Sequence, residues 1–390
     1  MPSAPARVTW PTALSWRLRR QLLGSVGDAG EAIATSDATA TATGVAAVAG
    51  RLGAVAAQLD PSFAELGLRT RLAYSQAGDV ERALAAGELV KTFAFRGALH
   101  LMTPEQAGVH LALRASSKMW ERRGWQEFYL LGPSDWPELR AAVRDALAAG
   151  PLTRAELGRA VADHARFAHL AHAFTHQSGT FLKPLAWLGD LSVGPPREDR
   201  LTLQRLDTNP RWSGLPDPDD AGPRALRTYL GAYAPASEAN LRYWLSDGLG
   251  VRRTSITRWL DELGEQVASV DVEGETRLVL SEDLHALVGE AHAARSTAVR
   301  LLPRYDQWVL GPGTGDTRVV PAALRAAVSR GSDLVVVDGV VAGTWSIRRG
   351  EVHVTWGSEA GADVAPALRA EVDRLGQILG KPLALADAPR

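Results

Sequence analysis

The chain predicts an α+β fold, mainly α, in which helices followed by a β-hairpin recur three times before a small β-rich C-terminal region. Three observations carry this. "GPLTRAEL" (150–157) and "APASEANL" (234–241) run in register, pairing Pro151 with Pro235, Thr153 with Ser237, Ala155 with Ala239 and Leu157 with Leu241. In both, proline closes one helix and a hydroxyl residue caps the next. Helical stretches then lead into alternating apolar runs broken by turn residues, the mark of a hairpin. Residues 299–390 differ, since strand patterns dominate there.

In chain order, "RLGAVAAQLDP" (51–61) reads as the end of an alanine-rich helix, with Pro61 disfavouring helical geometry at Asp60. "DVERALAAGE" predicts a short helix and "LVKTFAFRGALHLM" a hairpin turning at Arg96-Gly97. Thr103-Pro104-Glu105-Gln106 opens the next helix with a cap, a proline at the first position and a capping box. Thr153 and Glu156 form a second box, followed by a helix across "HQSGTFLKPLAWLGD" and a looser hairpin, "LSVGPPREDRLTLQRL". "PRWSGLPDPDDAGP", rich in Pro, Gly and Asp, marks the clearest boundary. The third unit has a helix, "RRTSITRWLDELGEQ", and a hairpin with Val270, Val272, Leu278 and Leu280 around Glu273-Gly274. "DLVVVDGVVAGTWSIRRGEVHVTW" predicts a three-strand meander turning at Asp338-Gly339 and Arg349-Gly350, and "VAPALRAEVDRLGQIL" an amphipathic helix. The expected division is 1–135 (first unit with N-terminal helices), 136–209, a linker at 210–222, 223–298, and 299–390. Helices followed by a hairpin is the plan of a winged helix, in which a helix enters a DNA groove while the wing touches backbone or minor groove. Other helix–hairpin folds give the same pattern.

Composition narrows the function. With 390 residues, 46% of them hydrophobic, and a net charge of −1, the chain is expected to form a folded protein of several domains. No apolar run approaches a membrane span, and "MPSAPARVTWPTALSW" lacks the basic start and apolar stretch of a signal peptide, so a cytoplasmic, nucleoid-associated protein without membrane contact is expected. The absence of cysteine excludes disulfides and thiolate metal centres. Lysine occurs only at Lys91, Lys118, Lys183 and Lys381, so arginine supplies nearly all positive charge. That bias reads first as GC-rich coding, and only a clustered basic face counts as a footprint of DNA.

"RLGAVAAQ", "LVKTFAFRGALHLMTPE", "LLPRYDQWVLG" and "DGVVAGTW" occur in the same order as segments that they resemble in the tandem winged-helix DNA glycosylases of the AlkZ/YcaQ type. The likeness runs from about residue 45 to residue 380, and Arg96-Gly97-Ala98-Leu99-His100 is its most specific piece. The resemblance implies three tandem winged-helix units in a curved arrangement around DNA, with a β-rich C-terminal cap. It implies monofunctional excision of alkylated purines, often bulky N7-alkylguanines or interstrand crosslinks, from double-stranded DNA by a monomer without cofactors. Some members protect antibiotic producers from their own alkylating products. Alkylation at N7 makes the base cationic, so it departs neutral without prior protonation. What remains is to stabilise an oxocarbenium-like sugar and to position water, work within reach of an oriented amide and a carboxylate.

Many family members carry two glutamines separated by one residue in the segment that corresponds to "RLGAVAAQ". Aligned without gaps, these positions are Ala56 and Gln58, so the first glutamine is absent. A second branch has glutamine, an apolar residue and aspartate; "QLD" (58–60) spells this, two residues later. Both alignments keep Gln58 and differ over Asp60, and both residues are candidate catalytic groups. In a regular helix, residues two apart lie about 200° around the axis, so a shared cleft requires an unwound end. The plainer alternative is a helix-terminating turn beside a solvated glutamine.

Arg96 and His100, at the first wing, and Arg252 and Arg253, at the start of the third unit's helix, are candidate DNA contacts. An exposed turn arginine, a bonded histidine and a solvated helix start are the alternatives. Arg17, Arg19 and Arg20 face the same choice. Asp306 and Arg318 are candidates for the cleft, with Asp306 alternatively tying down the C-terminal region. His164, His169, His172 and His176 form a histidine-rich run, but the single nearby carboxylate argues against a metal, and none is expected. "GPGTGDT" (311–317) lacks the lysine and spacing of a phosphate-binding loop. Twelve tryptophans are mostly core anchors, with a wedge against DNA as the functional alternative. The rival functions are a catalytically inactive DNA-binding relative and a ligand-responsive transcriptional regulator.

Overall fold

A computed structural model describes residues 6–24, 44–58, 60–290, 297–357 and 364–386. Three three-stranded sheets and one five-stranded sheet sit among helices, so the α+β class holds.

Each hairpin lies where turn chemistry puts it. In the first unit, Val90–Phe93 pairs with Leu99–Met102, and the reversal passes through Arg96 (φ 52°) and Gly97 (φ 69°). In the second, Ser192–Arg197 pairs with Arg200–Gln204, and in the third Val267–Val272 pairs with Glu275–Leu280. The repeat read from the sequence reappears in the packing. Thr153 and Ser237 each cap a helix and each completes a capping box, with Glu156 and with Asn240. The residue before each cap joins the hairpin of its own unit, Leu152 opposite Leu203 and Ala236 opposite Leu278. The Thr103 cap also forms, but Gln106 turns its amide to Thr228 Oγ1 at 3.2 Å instead of back to the cap.

Non-local pairing changes several expectations. Ala6–Val8 adds a parallel strand to Val267–Val272, and Trp10, Leu14 and Leu18 of the following helix enter one core with Val270, Leu302 and Trp308. Leu22 joins a core with Val55 and Leu101 of the first unit, while most of the N-terminal segment thus packs with the third unit and the C-terminal region. Arg17, Arg19 and Arg20 are occupied there: Arg17 donates to Pro235 O at 2.8 Å, Arg20 to Gly231 O at 2.8 Å, and Arg19 pairs with Glu290. The Pro/Asp-rich boundary stretch becomes helical at its end. Asp217 caps the Pro218–Tyr233 helix and Pro218 takes its first position, where the missing N–H costs nothing. The C-terminal meander gains Val299–Leu302 on one edge and Ala384–Leu385 on the other, and the Ala365–Leu379 helix packs on the resulting sheet.

A buried ion pair locks this region to the first unit. Asp306 accepts from Arg71 Nη2 at 2.7 Å and Nη1 at 2.8 Å, and both side chains are at most 2% exposed. The same carboxylate accepts from Trp308 N at 2.7 Å, capping the Gln307–Leu310 helix.

Candidate active site

Residues 51–61 are not a helix end at Asp60. The helix closes at Leu52, Gly53 turns the chain with φ 77°, and Val55–Ala56 runs as a strand against Leu99–Met102. Pro61 starts the next helix instead of ending the previous one, and Asp60 is its cap, accepting from Ser62 N at 2.8 Å. The helical 200° separation therefore does not govern these residues.

Gln58 follows the strand and is fixed by the first hairpin. Ala57 N donates to Leu99 O, and Leu99 N donates to Gln58 Oε1, each at 2.8 Å. The amide is exposed, so its NH2 and the second lone pair of Oε1 remain available. Ala56 stands directly opposite His100, which stands opposite Thr92, so the three share one face of the sheet. Asp60 is exposed, and its hydrogen bonds from Ser62 hold its carboxyl below the ordinary range, aided by Arg304. Leu59, between the two candidates, lies outside the described residues.

His100 is 6% exposed, and its Nδ1 lies 3.0 Å from Ala98 O. Burial, reinforced by Arg96, pushes its pKa down to about 4, so it is neutral at physiological pH. Its ring packs on Phe95, which also touches His110 and Trp244. Arg96 is exposed at the wing's turn and lies over the Tyr243 ring at 4.2 Å. Tyr243 opens a short π-helical turn in the third unit, a distortion that often marks function. The first hairpin therefore reaches the third unit.

It reaches the second unit through a residue the sequence reading passed over. A Cβ on Gly97 would meet Lys183 Cδ at 3.0 Å and Nζ at 3.1 Å, so the lysine lies across the wing's turn. Burial, Arg114 and Arg154 all push the Lys183 ammonium down. Arg114 lies over Trp187 at 4.2 Å and also feels Arg122. Among the described residues, no carboxylate pairs with Arg96, Arg114, Arg154 or Lys183. Lys183, Arg114 and Arg154 thus form a half-buried cationic cluster, with Arg96 exposed at its edge. The composition hid it, because most other arginines have acidic partners.

The remaining candidates fall elsewhere. Arg252 and Arg253 are exposed at the start of the Arg253–Leu263 helix, beside Gly250, where a Cβ would come within 2.7 Å of Arg114 Nη1. Asp306 lies inside the ion pair with Arg71, and Arg318 pairs with Glu275 on the third hairpin and stacks on Trp10 at 4.9 Å. Neither joins Gln58. The four histidines of the run are exposed, and no metal-holding group occurs among the described residues. Gly311 of "GPGTGDT" makes room for Tyr233, whose ring would lie 2.0 Å from a Cβ there.

The fold and the sequence together match a known class. The DNA glycosylase AlkZ of Streptomyces sahachiroi has a solved structure that this chain matches with a TM-score of 0.85 and 33% identity, over 97% of this chain and 99% of that one. The protein is a DNA glycosylase. A curated relative, an interstrand DNA cross-link repair glycosylase of the same organism, is 36% identical over 356 residues, 90% of this chain and 91% of the relative. The family model "DNA glycosylase AlkZ-like" matches residues 49–378, and the chain belongs to that family. No described helix is long and apolar enough to cross a membrane.

Proposed function

We propose that this glycosylase excises bulky N7-alkylated purines, including those joined in interstrand crosslinks, with Gln58 at the centre of the reaction. The observation that carries this reading is the bond from Leu99 N to Gln58 Oε1, which orients the one amide of the family motif from the wing itself. A base already cationic through N7 needs no acid to leave. An amide pre-set beside the sugar supplies a lone pair to developing positive charge and an N–H to water without reorganisation. The relative named for cross-link repair supports the crosslink as a substrate.

In this reading the three helix–hairpin units act as winged helices, a monomer holds the duplex, and the cations around Gly97 hold phosphates. The enzyme works in the cytoplasm on nucleoid DNA, in a cell exposed to an alkylating natural product. Asp60 caps its helix and stands by as a second polar group.

Purified protein incubated with duplexes carrying a small N7-methyl adduct, a bulky N7 adduct or an N7–N7 crosslink tests the substrate. Base release above spontaneous depurination is expected from the bulky adduct and the crosslink, with the smaller adduct slower. Release from none of the three overturns the reading. Lys183→Gln should weaken duplex binding roughly threefold to tenfold and flatten the log K against log[salt] slope by about one, the effect of losing one phosphate contact. An unchanged slope in fluorescence-anisotropy titrations would remove Lys183 from the interface.

A further inference from the structure

The proposed reaction leaves one need unmet. An attacking water must give up a proton as its oxygen bonds to C1′, and Ala56 brings no side chain to accept it. Gln58 has one lone pair of Oε1 on Leu99 N and, in the reading above, the other facing the positive charge of the sugar, while its NH2 only donates. Directly across the strand pair from Ala56 stands His100.

The tautomer of His100 follows from its surroundings. Ala98 O accepts only, so the nitrogen 3.0 Å away, Nδ1, carries the hydrogen of the neutral ring. Nε2 is left with a lone pair, and no described residue donates to it. Phe95 fixes the ring plane. The neighbour of His100, Leu99, is the residue that binds Gln58. One strand thus carries both an acceptor and the anchor of a donor, beside the position where a side chain is missing.

We propose, resting on the reading of Gln58 above, that His100 Nε2 accepts the proton of the attacking water and so does the polar work that Ala56 cannot. The amide NH2 of Gln58 donates to the water oxygen, and the water donates to Nε2. As the C1′–N9 bond breaks, its electron pair leaves with the base, which departs neutral. The water oxygen forms the new bond to C1′, its proton passes to Nε2, and the imidazolium later returns that proton to solvent. Charge balances: the cationic nucleotide and water give a neutral base, a neutral abasic sugar and one proton. A ring that resists protonation begins each turnover with its lone pair free, and a water bonded to an oxocarbenium carbon is acidic enough to protonate it.

Single-turnover release from a bulky N7-alkylguanine duplex tests this with two substitutions of opposite geometry. His100→Asn places an amide NH2 where Nδ1 was, keeping the bond to Ala98 O while removing the acceptor at Nε2. His100→Gln reaches the Nε2 position and loses the Ala98 bond. The expected result is a loss of tenfold or more in rate for His100→Asn, with duplex affinity and melting temperature near those of the unsubstituted protein, and a smaller loss for His100→Gln. Adding Ala56→Gln to His100→Asn should recover part of the rate. A purely structural histidine predicts the reverse order, with the Asn variant active and no recovery. That result, or a loss for Asp60→Asn with none for His100→Asn, overturns the proposal. No release by the unsubstituted protein would instead remove the reading of Gln58 on which it rests.

Discussion

Gln58→Ala should lower single-turnover base release roughly tenfold to a thousandfold, the scale of losing one pre-set polar contact to a transition state. The loss should sit in the chemical step. Gln58 is exposed, and its side chain bonds a backbone N–H of the first hairpin, so neither the core nor the proposed phosphate contacts depend on it. Duplex affinity should change less than threefold, and the melting temperature by a degree or two. Asp60→Asn is the companion. Asparagine caps helices about as well as aspartate, so this variant removes the charge and keeps the Pro61–Arg69 helix start. Rates near that of the unsubstituted protein for Asp60→Asn, set against a large loss for Gln58→Ala, would confine the chemistry to the glutamine. Unchanged release by Gln58→Ala would refute its assignment.

Asp306→Ala should give the largest loss of stability, about 3–5 kcal/mol, because it leaves Arg71 charged, buried and unpaired. The substitution also uncaps the Gln307–Leu310 helix, and the Arg71 guanidinium would keep only Gly67 O at 2.6 Å and a longer bond to Gln21 Oε1 at 3.4 Å. Exchanging both partners, as Arg71→Met with Asp306→Leu, should destabilise less than Asp306→Ala alone, since no lone charge remains inside. Urea unfolding followed by tryptophan fluorescence measures this, Trp308 being held at its backbone N–H by the same carboxylate. Equal midpoints for Asp306→Ala and the unsubstituted protein would mean the pair bears no load.

What could be read from the sequence was local. The hairpin turns at Arg96-Gly97, Glu273-Gly274, Asp338-Gly339 and Arg349-Gly350 all formed, because two adjacent residues that tolerate positive φ determine them. The caps at Thr103, Thr153 and Ser237 formed because each hydroxyl accepts from the backbone N–H three residues on, an equally local contact. Strands that needed a distant partner were misread or passed over: Val55–Ala56 hid inside an alanine-rich run, and Val299–Leu302 is separated from its neighbour strand by some thirty residues that include two short helices. Pro61 was read as a stop when it is a start, since proline permits both and only the fold decides. Of the site, Gln58, Arg96 and His100 came from the motif resemblance. Lys183 did not, because nothing in "FLKPLAW" announces that its lysine will cross Gly97 of another unit. Asp306 could not be placed before its partner, 235 positions away, was known.

The strand Ala6–Val8 has a consequence for how the molecule is assembled. Its parallel partner lies in the third unit, and Trp10 N donates to Glu273 Oε1 at 3.0 Å across 263 positions of sequence. A ribosome adding about 5–20 residues per second takes on the order of 15–50 seconds between the two. Through that interval the first and second hairpins emerge and close on local contacts, while this strand and the apolar face of its helix wait uncovered. The sheet of the third unit is therefore completed by a strand made long before its partners. An alteration near Val8 should show itself as slow or chaperone-dependent maturation, long before it touches catalysis.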